Sequence, residues 1–316
     1  MEGRASDAPQ LAGDQTTLQR KRLPWWTRLE WREAFEGYLF VLPKLVLFAI
    51  FLVTPVLMGV QMAFENVQPF RSTWVGLENF RALAHDNVFW LSLRNTAIYT
   101  AVVVPVAVMT ALGLASLIQP LSNVLQTFYR AAYYLPAVAS AVVLALVWKW
   151  LFDYDYGLFN YLLGLLGVGK VQWLVSPDIA LWSIILMAIL SPPGAGVVLY
   201  LAAMNGIPRE LYEAAEIDGA SGFQKWWRLT VPLVTPTTLY IVVMSTIGSF
   251  QIFTNVFIMT GGGPGNATTT MVTEIYNSAF QFFNFGKASA EALVLFAIVT
   301  ALAVVQFRWL SRDVQY

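Results

Sequence analysis

Long apolar runs alternate with short polar segments along most of the chain. A membrane helix needs roughly 20 predominantly apolar residues. Six runs meet that length: Leu39 to Ala63, Leu91 to Leu117, Ala131 to Phe152, Leu181 to Met204, Leu233 to Met259 and Ala288 to Leu310. The pattern predicts an all-α integral membrane protein of six transmembrane helices. A polar tail covers residues 1–37 and a membrane domain covers 38–316. The tail carries Arg20, Lys21, Arg22, Arg28 and Arg32 and lacks the short apolar core of a cleavable signal peptide, so the first apolar run reads as an anchor. Trp25, Trp26 and Trp31 suit the headgroup level of a bilayer.

The polar segment between the fourth and fifth runs, residues 205–232, has a pattern of its own. Pro208 suits a first helical position, and Glu210 places negative charge in the first turn, where the helix dipole favours it. Gly219 can supply a left-handed C-terminal turn. Ser221 with Gln224 three residues later has the form of a capping box, restarting a helix through Phe223, Trp226 and Trp227 that Pro232 is expected to stop. Two short helices around a glycine turn, set between spans, make a surface that another protein can grip.

Composition agrees with the membrane reading: 57% of the 316 residues are apolar and only 12% are charged. Nineteen basic and nineteen acidic residues cancel, so no global field points to nucleic acid. The absence of cysteine removes disulfides, thiolate metal sites and a cysteine nucleophile. The single histidine, His85, cannot form a metal cluster by itself, and no metal ligand set is expected. Lys and Arg mark the cytoplasmic side of a membrane protein. Arg4, Arg20, Lys21, Arg22, Arg28, Arg32, Arg130, Arg209, Lys225, Arg228, Arg308 and Arg312 fall on the side of the termini, against Arg71, Arg81, Arg94, Lys170 and Lys287 opposite. Both termini and the 205–232 loop are therefore expected in the cytoplasm.

Several segments invite a chemical reading. Gly164 to Lys170 matches a phosphate-binding P-loop until Val171, which stands where a Ser or Thr must hold magnesium. No strand precedes it and it falls on the outer side, so ATP is not expected to bind this chain. The fifth run contains Ser245, Ser249, Gln251, Thr254 and Asn255, with Gln251, Thr254 and Asn255 spaced to share one helical face. Two readings stand for these three: a solute path for a neutral, hydroxyl-rich molecule, or hydrogen bonding between packed spans. Ser191-Pro192-Pro193-Gly194 reads as a structural kink in the fourth span, and Glu291 as an interfacial carboxylate. The Gly261-Gly262-Gly263-Pro264-Gly265 cluster ends the fifth span sharply, and Thr268 to Phe283 is long enough for an interfacial helix.

The loop also carries a recognisable spacing: Glu213-Ala214-Ala215, three residues, Gly219, nine residues, then Leu229-Thr230-Val231-Pro232. This resembles the signature of permease subunits of binding-protein-dependent ABC importers, with Leu229 and Val231 in place of Ile and Leu. Val75-Gly76-Leu77-Glu78-Asn79-Phe80, Asn95-Thr96, Trp150-Leu151-Phe152 with Gly157 and Asn160, and Thr260-Gly261-Gly262-Gly263-Pro264-Gly265-Asn266 are similar to its carbohydrate branch, the maltose and glycerol-3-phosphate type. The resemblance runs from about Tyr38 onward. It implies a multi-pass subunit of a bacterial or archaeal inner membrane, working with a second permease subunit, two cytosolic ATP-binding subunits that hold ATP and magnesium, and an extracytoplasmic solute-binding protein. It further implies that a coupling helix formed by Glu213, Ala214, Ala215, Asp218 and Gly219, with Pro232 closing the loop, docks on the ATPase, while this chain is not itself an enzyme and binds no cofactor. An ion-coupled secondary carrier of a small polar solute is the alternative, but neither a coupling-ion site nor an inverted repeat is visible. A membrane-embedded enzyme lacks its nucleophile or metal constellation.

Overall fold

The computed structural model describes residues 31–68, 71–191 and 193–310. The tail up to residue 30, with Trp25 and Trp26, and Arg312 lie outside the described residues. The chain divides into two compact units, Met1–Leu57 and Met58–Tyr316. In the first, a helix already begins at Trp31, inside the segment expected as tail, and runs to Phe48. The π turn Ala49–Val53 follows, and then the helix Thr54–Met62, which leads into the second unit. Thr54 closes the wide turn by donating Oγ1 to Ala49 O at 2.9 Å. Pro55, next along, has no N–H to give, and the widened turn relieves its clash with the preceding carbonyl. The described side chains from Phe35 to Leu57 are exposed and mostly apolar, as a helix solvated by acyl chains requires.

Within the second unit, a short antiparallel hairpin, Glu65–Gln68 with Arg71–Trp74, is the one pair of strands among the described residues. The long second span, Asn87–Ile118, starts at Asp86, whose Oδ1 accepts from the Val88 and Phe89 amides at 2.8 and 3.3 Å. This is the Asx cap that a short carboxylate favours at an N-terminus. The second span packs on the fourth and fifth. Ala111 and Ala115, four apart and fully buried, meet Val197, Tyr200, Leu201, Met204 and Ile241. A Cβ added at Gly196 would come 3.0 Å from that of Ala111, so small residues on both helices set the close approach. Polar clips add register: Tyr200 OH donates to Thr238 Oγ1 at 3.0 Å, and Gln306 Nε2 of the last span, Phe285–Leu310, donates to Thr246 Oγ1 at 2.9 Å.

Five helices are long and apolar enough to cross a membrane, and a sixth crossing forms if one bent pair counts as a span. That pair corrects the expected continuous run from Ala131 to Phe152. The chain instead forms Asn123–Pro136 and Ala141–Leu151, bent by 83°. Pro136 removes a backbone donor near the end of the first piece, and Ala139 and Ser140 take extended dihedrals before the second piece begins. The fourth span breaks where Ser191 and Pro193 were read as a kink, between Pro177–Leu190 and Gly194–Asn205. A Cβ at Gly194 would sit 2.2 Å from Tyr133 O, so the backbone of the third span presses directly against the break.

The expected interfacial helix from Thr268 to Phe283 is also corrected. Met271–Tyr276 and the π turn Asn277–Gln281 lie against the second and last spans, and Thr268, Thr269, Thr270, Thr273, Glu274 and Ser278 are all buried. Asn95 of the second span donates to Asn266 O (3.3 Å) and Thr269 O (3.0 Å), and the Met271 amide donates to Thr96 Oγ1 at 3.0 Å. Hydroxyls that look like a polar surface in sequence are here the partners of a buried irregular backbone. Phe280, Phe282 and Phe283 are well exposed, while Ile275 and Tyr276 are half-buried.

Candidate coupling loop and solute path

The 205–232 loop is a rigid two-helix unit. Its first helix is Arg209–Ile217, with Pro208 one position earlier than expected, as the N-cap. Asp218 caps the C-terminal end, and Gly219 takes φ +74°. The Gly219 amide donates to Glu216 O at 3.0 Å and the Ala220 amide to Ala215 O at 2.9 Å, the paired bonds of a Schellman turn. The capping box forms as read: Ser221 N–H donates to Gln224 Oε1 at 2.8 Å and Gln224 N–H to Ser221 Oγ at 3.3 Å.

Pro232 does not stop the second helix, which corrects the sequence expectation. Gly222–Lys225 passes into the π turn Trp226–Thr230 and then Val231–Leu233, so the helix carries through Pro232 and turns only at Val234. As at Pro55, a wide turn precedes the proline and relieves its clash.

Three clips fix the unit. Lys225 Nζ lies 2.5 Å from Glu216 Oε1 and joins the two helices. Tyr212 OH and Thr230 Oγ1 are 2.9 Å apart, and Trp226 Nε1 donates to Ser116 Oγ of the second span at 2.8 Å. Tyr212 and Ala215 are half-buried, and Tyr212 packs on the core beside Ile207. Glu213, Ala214, Asp218, Gly219 and Pro232 are exposed, with Leu211, Ile217, Phe223 and Trp227 as exposed apolar neighbours. The clips tie the loop to the second span at Ser116 and to its own π turn, which leads into the fifth span, at Thr230. The Ser116 and Thr230 anchors were not legible in sequence, because each is a single hydroxyl far from its partner along the chain.

On the fifth span, Gln251, Thr254 and Asn255 do not share one continuous helical face. The helix Thr235–Phe250 ends at Gln251, and Thr254–Met259 restarts after two non-helical residues. Thr270 Oγ1 donates to Ile252 O at 3.0 Å and so satisfies a carbonyl freed by the break. The break brings the three residues together by another route. They line one open cavity of about 410 Å³ with Ser245, Ser249 and Phe253, walled by Tyr99 and Val103 of the second span. Gln251, Thr254 and Asn255 make no side-chain hydrogen bond to another described residue, in contrast to the Thr246 and Thr238 hydroxyls.

Glu291 is not an interfacial carboxylate. It is fully buried, 3.4 Å from Lys287 Nζ, and accepts from Ser278 Oγ at 3.2 Å. Lys287 also pairs with Asp86 at 2.7 Å and Glu274 at 3.3 Å, tying the start of the second span to the last span. Burial alone would push the Asp86 carboxyl up, but the Lys287 ammonium and the Val88 and Phe89 amides outweigh it and hold it below its ordinary value. The P-loop-like stretch is a turn after the helix Leu158–Leu165: Asn160 accepts from the Val171 amide and Trp173 Nε1, both at 3.0 Å, and Lys170 pairs with Asp155 at 3.2 Å. No group of three or more metal-ligating side chains occurs among the described residues.

A polytopic helical fold with broken spans, a clipped surface loop and a polar cavity at a helix break defines a membrane permease. The chain belongs to the family of binding-protein-dependent transport system inner membrane components, whose model matches residues 103–316. It is 32% identical over 295 residues to the sulfoquinovosyl glycerol transport system permease protein SmoG of Agrobacterium fabrum, covering 92% of this chain and 96% of that protein. It is 31% identical over 287 residues to the trehalose/maltose transport system permease protein MalF of Thermococcus litoralis, covering 89% and 96%. A chain of a bacterial ABC transporter that imports the acidic polysaccharide alginate superposes with a TM-score of 0.79 at 25% identity, over 90% of this chain and 98% of that one.

Proposed function

We propose that this chain is one of two permease subunits of an ATP-driven importer, and that it carries a sugar or related solute handed over by an extracytoplasmic binding protein. The observation that carries this reading is the 205–232 loop, a clipped lever with an outward face of Glu213, Ala214, Asp218 and Gly219 beside exposed Leu211 and Ile217. Ala215 supplies the carbonyl that seats the turn, and Pro232 lies at its exit. Such a lever biases a two-state pore when a partner grips it. Two cytosolic ATPase subunits, which hold ATP and magnesium, are that partner, and the positive-inside charge count puts the loop and both termini in the cytoplasm.

Gln251, Thr254 and Asn255 form part of the solute path. Their carboxamides and hydroxyl have no protein partner among the described residues and line an open cavity, which supports a path over packing. Neutral polar groups of this kind suit hydroxyl-rich solutes, and the sugar-transport relatives point the same way. The test is uptake into proteoliposomes holding the complete importer. Uptake should require both ATP hydrolysis and the loaded binding protein. Uptake sustained by an ion gradient with neither present would establish a secondary carrier instead.

A further inference from the structure

A second cavity, of about 490 Å³, opens at the root of the 205–232 loop, away from the solute path. Its polar lining is Gln119, Asn123, Gln126, Asn205, Arg209 and Tyr212, drawn from the end of the second span, the start of the third, the end of the fourth and the first helix of the loop. No carboxylate lines it. The Arg209 guanidinium makes no ion pair or hydrogen bond to another described residue, and the Asn123 and Asn205 amides likewise make no hydrogen bond to one.

The floor, by contrast, is built. Gln126 is 8% exposed and has each of its polar atoms engaged: Nε2 donates to Gln119 O (2.8 Å) and Leu121 O (3.0 Å), and Oε1 accepts from Arg130 Nη2 at 3.2 Å. Arg130 Nε, one turn behind the floor, is itself buried without a hydrogen-bond partner among the described residues. A concave, polar site of this size with one free guanidinium, two free carboxamides and no acid favours a small anion. The third span and the loop helix both begin at its rim, and their positive dipole ends add to the same preference.

We infer that this cavity is a binding site for a phosphate group, presented either as a soluble phosphate or as the headgroup of an anionic lipid. Arg209 supplies the bidentate charge-assisted contact and Asn123 and Asn205 supply further donors. Because Arg209 and Tyr212 belong to the loop helix, occupancy stiffens the root of the lever and links anion binding to its position.

The experiment uses the complete nucleotide-free importer in nanodiscs. In neutral phosphatidylcholine, inorganic phosphate is titrated by calorimetry with sorbitol as the uncharged control. In equal parts phosphatidylcholine and phosphatidylglycerol, retained lipid is counted by native mass spectrometry. A phosphate site predicts saturable binding that Arg209→Gln weakens by about tenfold, the loss expected for one charge-assisted partner, with sorbitol inert. A headgroup site predicts phosphatidylglycerol retained by the wild type and lost in Arg209→Gln, without phosphate binding. Either outcome supports an anion site and identifies its source. Asn205→Leu, at an exposed position, provides a second variant should Arg209→Gln prove poorly dispersed on gel filtration. Absence of both kinds of binding, or binding that neither variant changes, overturns the inference.

Discussion

Gly219 tests the lever reading most directly. Its φ of +74° lies in the left-handed region, and a Cβ built there meets nothing within 4 Å. Alanine therefore costs only the conformational term, about 1–2 kcal/mol for an L-residue held left-handed. Asparagine, which visits that region more readily, costs less. Proline cannot take a positive φ at all, and it also removes the N–H that reaches Glu216 O. The Schellman turn is then lost and the angle between Arg209–Ile217 and the Ser221 helix is no longer set. If the turn must be intact for the lever to act, alanine lowers the working population by roughly 5–30-fold at most. Proline abolishes coupling. The assay compares the Asn, Ala and Pro variants for ATP hydrolysis with and without loaded binding protein, and for uptake in the same vesicles. The expected order of stimulated activity is Gly, Asn, Ala, then Pro, while the amount of inserted subunit stays level. Full stimulation and uptake in Gly219→Pro would refute the reasoning, because no rigid turn would then be needed.

The cavity residues give a second check: Asn255→Leu and Gln251→Ala are expected to slow uptake of the solute, and unchanged uptake in both would return them to a packing role. Lys287→Met leaves Asp86, Glu274 and Glu291 without their shared cation, with a cost of about 3–5 kcal/mol for breaking a buried pair. Thermal unfolding in detergent reads it, and a loss well below that range means the cluster is hydrated in the membrane. Gly194→Ala drives a Cβ to 2.2 Å from Tyr133 O, so the third and fourth spans must separate and less folded subunit is recovered on gel filtration. Asp86 has its folded value held below the ordinary 3.8, so its stabilisation is present above about pH 4 and is lost as pH falls through the lower folded value. Thermal unfolding between pH 5 and 3 should therefore show a steeper loss in wild type than in Asp86→Asn.

The secondary structure of the 205–232 loop was readable because its signals are local. Gly219, Ser221 and Gln224 act on amides within a few residues, and the Schellman turn and capping box formed at the expected positions. The number of apolar runs was readable because the bilayer imposes a length that hydropathy records directly. Pro232 misled because its effect depends on the preceding turn, and a π turn admits a proline that an α turn rejects. The sequence named Gln251, Thr254 and Asn255 as a group, but attributed their grouping to helical spacing rather than to a break.

By itself, then, the sequence determined what bilayer thickness and backbone hydrogen bonds within a few residues enforce: the membrane class, the apolar runs, the turn at Gly219 and the family spacing around Glu213. Only the tertiary structure decided which hydroxyls and charges meet. It bent the third span where Pro136 and the extended Ser140 interrupt the helix, buried the threonine run behind Asn95, gathered three carboxylates around Lys287, and clipped the loop through Ser116 and Thr230. Most of those pairings join residues far apart along the chain. In a hydrocarbon setting every freed backbone group must find such a partner, and no local pattern says which one it will be.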